Sequence, residues 1–258
     1  MYVGGNRVLT TTVHGQPLFV DSRDLSLSPQ IILNGAWEPG VTQALRSLVK
    51  PGMTIVEIGA NIGYFTTFLG RLVGPRGCVR AFEANPEIFD LLTDNIDING
   101  LIPFVRAEQM LVCDSCGERE ITLLERHRGS GSMLSFTDAF VALYHDKKTT
   151  IGVPATTLDE YWKDQTRSID LVKMDAEGSE PMIVDGMHQI VAQPHLTVVC
   201  EFYKQFFEAG GPSAETFLDA MLKHGFTLRK ITERGEILPI SANALLASDE
   251  GAELVFAK

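Results

Sequence analysis

Positive charge is scarce in this sequence. Its 258 residues include 22 lysines and arginines against 33 aspartates and glutamates, which gives a formal net charge of −11 at pH 7. Nucleic acids and anionic membrane surfaces attract clustered basic side chains, so an acidic chain of this kind suits neither. We therefore expect no nucleic-acid partner and no membrane partner for this protein.

Long apolar segments and cysteines are also few. No run of about 18 apolar residues is present, so no membrane-spanning helix is expected, and residues 1–7 lack the apolar core of a secretion signal. Among the four cysteines only Cys113 and Cys116 have a suggestive spacing, and no second pair or histidine cluster completes a zinc site. We expect reduced thiols and a cytoplasmic location.

Glycine is missing at one position of the turn that follows the first core strand. The apolar segment 53–58 leads into Gly59, and the next glycine is Gly63, with Asn61 between them. In the dinucleotide fingerprint G-x-G-x-x-G, the middle glycine lets the backbone approach a pyrophosphate. Asn61 stands in its place, so the turn is better suited to a cofactor with a small zwitterionic tail, such as S-adenosylmethionine.

A carboxylate follows at the spacing that such a cofactor requires. The predicted strand 77–83 ends at Glu83, about 20 residues after the glycine turn, where a carboxylate can accept hydrogen bonds from both ribose hydroxyls. Met110 and Leu111 are candidates to cover the adenine. The predicted cofactor contacts are Glu57, Gly59, Asn61, Gly63, Tyr64, Phe65, Glu83, Ala84 and Asp175.

Strand and helix patterns alternate along most of the chain, which predicts an α/β fold with a mostly parallel sheet and helices on both faces. A β-hairpin at 7–20 and two helical pieces within 24–50 come first. Residues 113–150 interrupt the alternation with a short strand, the loop 129–132 and a weakly helical segment at 137–147. Substrate loops often occur in such interruptions, so we expect this region to help bind the acceptor. The core strands are predicted at 53–58, 77–83, 104–112, 169–174, 196–202, 226–231 and 253–258, with a further strand at 151–153, and the helices at 62–72, 86–99, 158–163, 179–187 and 214–224.

Three carboxylates, Asp175, Glu177 and Glu180, follow the apolar strand 169–174. Ligands of open α/β sheets gather beyond the carboxyl ends of the strands, so Asp175 is expected to face Glu201, which ends a later strand. Glu177 and Glu180 also fit a second interpretation, in which they stabilise the start of the next helix.

An ordered set of motifs resembles the FkbM family of methyltransferases. Residues 175–180 are similar to its Asp-x-Glu-Gly-x-Glu signature, 57–63 to D-x-G-A-N-x-G, and 82–86 to F-E-P-N-P. Residues 157–159 match its T-L-D, and 199–201 match its strand that ends in Glu. The resemblance covers roughly residues 37–202, beginning with Trp-Glu-Pro. In two departures, Glu57 replaces the usual Asp and Ala84 the usual Pro.

The resemblance implies a Rossmann-like class I methyltransferase fold with a seven-stranded, mostly parallel sheet and an N-terminal hairpin and helical extension. Residues 1–50 would form that extension, and 51–258 the cofactor-binding domain with 113–150 inserted. The implied reaction is S-adenosylmethionine-dependent O-methylation of a small-molecule hydroxyl, on a sugar, polyketide or related natural product. The sequence is also compatible with a homodimer.

Activation of a hydroxyl needs a positioned base, or a metal that acidifies it. The candidate catalytic residues are Asp175, Glu177, Glu201 and His145, with His127 and Glu180 as further candidates. If a divalent cation takes part, its candidate ligands are Asp175 and Glu201. Lys173 is placed to neutralise these acids, and Trp37 and Glu38 to close over the cofactor or the acceptor.

Two other functional classes stay open at this point. Tyr144 and Lys148 have the Tyr-x-x-x-Lys spacing of short-chain dehydrogenases, which makes an NAD(P)-dependent oxidoreductase one alternative. Asn61 and Phe65 argue against it, because such enzymes need glycines there. The other alternative is a non-catalytic nucleotide-binding protein, which would have little need for three clustered carboxylates.

Overall fold

The structure is a computed structural model that describes residues 1–129, 131, 133, 141–142, 145–210 and 213–258. Its strands are β1 Tyr2–Gly4, β2 Arg7–Thr11, β3 Pro17–Asp21, β4 Thr54–Ile58, β5 Cys78–Phe82, β6 Val105–Glu108, β7 Leu111–Val112, β8 Gly117–Leu124, β9 Lys148–Thr156, β10 Leu171–Met174, β11 Thr197–Phe202, β12 Thr227–Ile231, β13 Ile237–Pro239 and β14 Ala252–Ala257. Its helices are α1 Ser28–Asn34, α2 Pro39–Leu48, α3 Tyr64–Val73, α4 Pro86–Ile98, α5 Leu158–Trp162, α6 Glu180–Asp185, α7 His188–Val191, α8 Lys204–Gly210, α9 Ala214–Lys223 and α10 Ala242–Leu246.

The main sheet has the order β13-β12-β14-β11-β10-β4-β5-β6. Five neighbouring strands run parallel to one another, namely β11, β10, β4, β5 and β6, whereas β14 is antiparallel to both of its neighbours. This confirms the predicted class I fold, with one correction: the sheet has eight described strands instead of seven. The additional strand is β13, which folds back on β12 through a turn closed by Thr232 N and Glu236 O at 2.9 Å.

Burial explains why the central elements form where the sequence predicts them. All five residues of β4 are buried, as expected for a parallel strand that is covered on both faces. At the start of α4 the Asn85 side chain accepts a hydrogen bond from Glu87 N, and Pro86 occupies the first turn. The observed helix therefore begins at the predicted residue.

The N-terminal segment forms a sheet of three strands, where the sequence predicted a two-stranded hairpin. β2 and β3 are the predicted hairpin, and β1 pairs with β2 as the third strand. Asn95 of α4 accepts from Phe19 N at 2.6 Å and donates to Phe19 O at 2.9 Å. Leu18 and Ile31 are fully buried in the same apolar cluster as Ile55 of β4. The segment thus packs directly against the main sheet.

The region that interrupts the alternation contains a third sheet, with the order β7-β9-β8. The strand predicted at 104–112 is divided, because β6 joins the main sheet and β7 joins the third sheet. β8 and β9 pair antiparallel and are both longer than predicted. Most of the predicted weak helix at 137–147, including Tyr144, lies outside the described residues. No helix in the described ranges is long and apolar enough to cross a membrane.

Candidate active site

A crevice opens at the carboxyl ends of the parallel strands, and it contains two connected cavities. The walls of both include Gly59, Glu83, Gly131 and Asp175. The polar cavity, of about 230 Å³, is also lined by Ser26, Leu27, Trp37, Glu38, Asn61, Asn85, Ile88, Arg128, Gly129, Glu177 and Glu201. The apolar cavity, of about 60 Å³, is also lined by Ile58, Phe82, Ala84, Met110, Leu111, Val112, Ile121, Met133, Ala176 and Ser179.

Gly59 allows the two strand ends at the centre of the crevice to touch. Its φ is +77°, and a Cβ atom there would lie 1.8 Å from the carbonyl oxygen of Asp175. The amides of Gly59 and Ala60 both donate to Phe82 O, at 3.0 and 2.9 Å. The turn is therefore held on one side by β5 and on the other by the end of β10, and only glycine fits.

Glu83 orients the two loops that frame the crevice. Its carboxylate accepts from Asn61 N at 2.9 Å through Oε2 and from Asn85 N at 2.8 Å through Oε1. Burial raises the pKa of Glu83 to about 7, against the effect of these hydrogen bonds. Each oxygen keeps a second lone pair, so the carboxylate can still accept bonds from a ligand.

Four of the predicted cofactor contacts lie at or beneath the turn and away from the cavity walls. Glu57 is 1% exposed and accepts from Thr66 Oγ1 at 2.6 Å, and burial raises its pKa to about 7. Tyr64 and Phe65 are 3% and 5% exposed, because α3 begins at Tyr64 and turns these rings into the apolar core. Gly63, at φ +86°, ends the turn. The structure thus gives these residues packing contacts within the protein.

Asp175, Glu177 and Glu201 come together in the polar cavity, as the strand ends predict. The Lys173 ammonium lies 3.1 Å from Asp175 Oδ2, and the two side chains are 4% and 30% exposed. Lys173 also lies 4.6 Å from the centre of the Phe65 ring. The buried lysine therefore places one positive charge beneath the carboxylates, in the position predicted for it.

Burial and like-charged neighbours together raise the pKa of several of these carboxyls. Glu201 lies directly opposite Glu253 in the pairing of β11 with β14. Burial, followed by the charges of Asp175 and Glu177, raises the pKa of Glu201 to about 10. Burial and Asp175 raise the pKa of Glu253 to about 7. At neutral pH the raised pKa favours the protonated form of the Glu201 carboxyl.

Glu180 fits the structural interpretation given for it above. It is 1% exposed, it is the first residue of α6, and its Oε1 accepts from Ala176 N at 2.8 Å. Burial raises its pKa to about 7. Within the described residues, Glu180 Oε2 and the nearby Ser179 Oγ have no hydrogen-bond partner. Ser179 lines the apolar cavity, and its hydroxyl is buried in the wall.

His145 lies outside the two cavities. It is exposed, its φ is +49°, and its backbone amide donates to Ala142 O. The adjacent Asp146 instead accepts from the amides of Arg126 and His127 and from His127 Nδ1, at 2.7 to 2.9 Å. His127 therefore belongs to the loop that carries Arg128, and His145 precedes the aspartate that binds this loop, whereas Asp175 and Glu201 lie at the strand ends.

A divalent cation finds little support in this crevice. Across the described part of the chain, no group of three or more His, Cys, Asp or Glu side chains is arranged to hold a metal ion. Of the two candidate ligands, Asp175 already faces the Lys173 ammonium. Burial and the charge of Asp175 raise the pKa of Glu201 to about 10, so this carboxyl would have to lose a proton before it could bind a cation.

The residues that close the crevice from the N-terminal side were not predicted from the sequence. Asp24 accepts from the amides of Ser26, Leu27 and Ser28, and also from Arg128 N at 3.1 Å. Arg128 in turn forms ion pairs with Asp21 and Glu87. An aspartate with a serine two residues later is typical of a turn in which the side chain binds the following amides, and that signal was available in the sequence.

Comparison with known proteins identifies the family. The sequence model described as "Methyltransferase FkbM domain" matches residues 57–228. "Methyltransferase sdnD" from Sordaria araneosa is 26% identical over 191 residues, which are 64% of this chain and 71% of that protein. "Protein-L-isoaspartate O-methyltransferase 1" from Arabidopsis thaliana is 30% identical over 70 residues, or 27% of this chain and 30% of that protein.

A solved transferase structure shows the same fold. A provisionally assigned transferase from Pyrococcus horikoshii is 14% identical, and the match covers all of this chain and 74% of that one with a TM-score of 0.52. The O-methyltransferase from Bacillus cereus in complex with SAH is 14% identical over 86% of this chain and 80% of that one, with a TM-score of 0.49. Because the family match spans more than half of its 258 residues, the chain belongs to the FkbM family of S-adenosylmethionine-dependent methyltransferases.

Proposed function

We propose that this methyltransferase acts on oxygen, and that its acceptor is a hydroxyl of a sugar or of a related small natural product. The observation that carries the proposal is the surplus of carboxylates in the polar cavity, where Glu38, Glu83, Asp175, Glu177 and Glu201 line the wall together with a single arginine. These groups are hydrogen-bond acceptors, and a hydroxyl needs an acceptor for its proton. Carboxylates also suit a cationic cofactor and oppose a pyrophosphate.

The residues present fit S-adenosylmethionine. The apolar cavity has the lining that an adenine ring requires, including Phe82, Met110 and Leu111, and it has one unpartnered hydroxyl on Ser179. Glu83 lines both cavities, which supports its assignment as the acceptor for the ribose hydroxyls. When bound, this cofactor supplies a methyl group activated by a positively charged sulfur, and acidic walls favour that charge.

The polar cavity can position the acceptor. Asp175 lines both cavities, and its side chain is partly exposed while Lys173 holds one of its oxygens. We assign to Asp175 the role of accepting the hydrogen bond of the acceptor hydroxyl and so fixing its direction. Orientation of this kind accounts for a large part of the rate of a transfer in which three atoms must be aligned. Glu177 lines the same wall and contributes to the negative potential.

The test is product mass analysis after incubation with methyl-labelled S-adenosylmethionine and a panel of methyl glycosides, polyols and amines. We expect one labelled methyl group on a hydroxyl. Asp175→Asn should lose about 10²-fold in turnover and retain calorimetric affinity for S-adenosylhomocysteine. Transfer to amines alone would reject O-methylation. Tighter binding of NAD than of S-adenosylmethionine would instead favour the oxidoreductase interpretation.

A further inference from the structure

Glu38 stands between the polar cavity and a second opening on the same edge of the sheet. That opening, the outer groove, has a volume of about 670 Å³, and its walls include Tyr203, Lys230 and Glu253. Glu38 lines the polar cavity and the outer groove alike. Glu38 is thus the described residue that the two openings share.

The backbone at Glu38 is in a conformation that few non-glycine residues adopt. Its φ and ψ are +41° and +68°, in the left-handed region. It occupies the N-cap position of α2, yet its side chain does not cap the helix. Backbone strain of this kind occurs preferentially at functional sites, where the surrounding structure maintains it. Here the strained backbone directs the carboxylate to the boundary between groove and cavity.

The surroundings of Glu38 suit proton transfer near neutral pH. Burial is the main cause that raises the pKa of Glu38 to about 8, with further contributions from the charges of Asp175 and Glu253, while Lys173 opposes them. A general base works best when its pKa lies close to the working pH. The charged and titratable groups on the elements around Glu38 are Glu83, Arg128, Lys173, Asp175, Glu177, Glu201, Tyr203, Lys230, Glu233, Glu250 and Glu253.

The neighbouring carboxylates are less suited to this task. Asp175 is already paired with the Lys173 ammonium through one of its oxygens, Oδ2, at 3.1 Å. Glu201 keeps its proton at neutral pH, because its pKa is raised to about 10. Glu38 lies in the Trp-Glu-Pro segment that precedes the family match at residues 57–228.

We propose that Glu38 is the catalytic base, and that the acceptor molecule lies in the outer groove with its reacting hydroxyl between Glu38 and Asp175. The hydroxyl oxygen forms a bond to the methyl carbon as the carbon–sulfur bond breaks and leaves its electron pair on sulfur. The hydroxyl proton passes to a carboxylate oxygen of Glu38. This inference rests on the proposed O-methylation.

The first experiment measures the Glu38 carboxyl without any turnover. Thermal unfolding of wild type, Glu38→Gln and Glu215→Gln is compared from pH 6 to pH 9, the last being a matched change on an exposed side chain of α9. A carboxyl whose pKa is raised on folding contributes stability at low pH that is lost as pH rises through the folded pKa. Glu38→Gln should therefore become more stable relative to wild type as pH rises, whereas Glu215→Gln should follow wild type.

The second experiment measures transfer to the methyl glycoside that wild type methylates best. Glu38→Gln should lose about 10²–10⁴ in kcat, together with the rise of kcat/KM with pH near 8. Glu38→Asp should recover part of the rate, because it keeps a carboxylate in a residue type that tolerates the left-handed region. Affinity for S-adenosylhomocysteine should stay within about twofold in both variants.

The outcomes separate the two proposals. Transfer by Glu38→Gln at a rate within about threefold of wild type would overturn the role of Glu38 alone, whatever the unfolding data show. An unfolding difference that does not change with pH would also count against it. A wild-type protein that binds S-adenosylhomocysteine but methylates no hydroxyl in the panel would reject O-methylation itself.

Discussion

At the scale of single residues, Gly59 is the position where one added atom is most damaging. Gly59→Ala would combine a left-handed φ with a Cβ atom 1.8 Å from Asp175 O. We expect a loss of more than about 4 kcal/mol in the free energy of unfolding, or no folded protein. Gly100→Ala is the matched control: its φ is +68° with open space around the Cβ, so it should cost only about 1–2 kcal/mol. Similar melting temperatures for the two variants would contradict the close approach.

Glu83 is the residue on which cofactor affinity should depend most clearly. Glu83→Ala removes a carboxylate that two backbone amides orient, and with it the acceptor for the ribose hydroxyls. We expect calorimetric affinity for S-adenosylhomocysteine to fall by about 1.5–3 kcal/mol. Asp90→Ala, a change at an exposed position of α4, is the control for general effects on this part of the fold. Unchanged affinity in Glu83→Ala would remove this residue from the site.

Residue types at strand ends were predictable, and the direction of each side chain was not. Gly59, Glu83 and Asp175 meet because parallel strands end at one edge of the sheet, which the alternation of elements already implies. Glu57 and Phe65 belong to the same motif, but the structure buries both. The start of a helix sets which side chains turn inward, and helix boundaries are the least certain part of a sequence-based prediction.

At the scale of elements, the loop that carries Arg128 is fixed by two aspartates. Asp24 binds Arg128 N, and Asp146 binds the amides of Arg126 and His127. We predict that Asp24→Ala increases hydrogen exchange at the amides of 126–128 and weakens acceptor binding, while affinity for S-adenosylhomocysteine changes by less than about tenfold. Asp219→Ala on α9 serves as the control. Unchanged exchange at these amides would show that the loop is held by other contacts.

Long periodic elements were predicted almost to the residue, whereas short ones were missed. β4, α4 and β11 have apolar patterns that span the whole element. β13 and α10 contain only three and five residues, too few for a hydrophobic period to stand out. The third sheet, β7-β9-β8, was missed for a different reason. Its strands pair across a long connection, and pairing partners cannot be predicted from the local sequence pattern.

At the scale of the whole molecule, buried carboxyls should make stability depend on pH. Burial raises the pKa of Glu57, Glu83 and Glu180 to about 7, whereas carboxyls of the unfolded chain titrate near 4.3. Their contribution is complete below the unfolded value and is lost as pH rises through the folded one. We predict that the melting temperature of the cofactor-free protein falls by about 5 °C or more between pH 6 and pH 9. A constant or rising value would contradict the buried charges.

The surplus of carboxylates around the crevice also distinguishes fresh cofactor from spent cofactor. S-Adenosylmethionine carries a positive sulfur that S-adenosylhomocysteine has lost, so the walls formed by Glu38, Asp175 and Glu177 attract the first more strongly than the second. Each methyl transfer thus removes the charge that helped to retain the molecule. The acidic lining favours exchange after every cycle, and product inhibition should weaken further as pH rises and more carboxyls ionise.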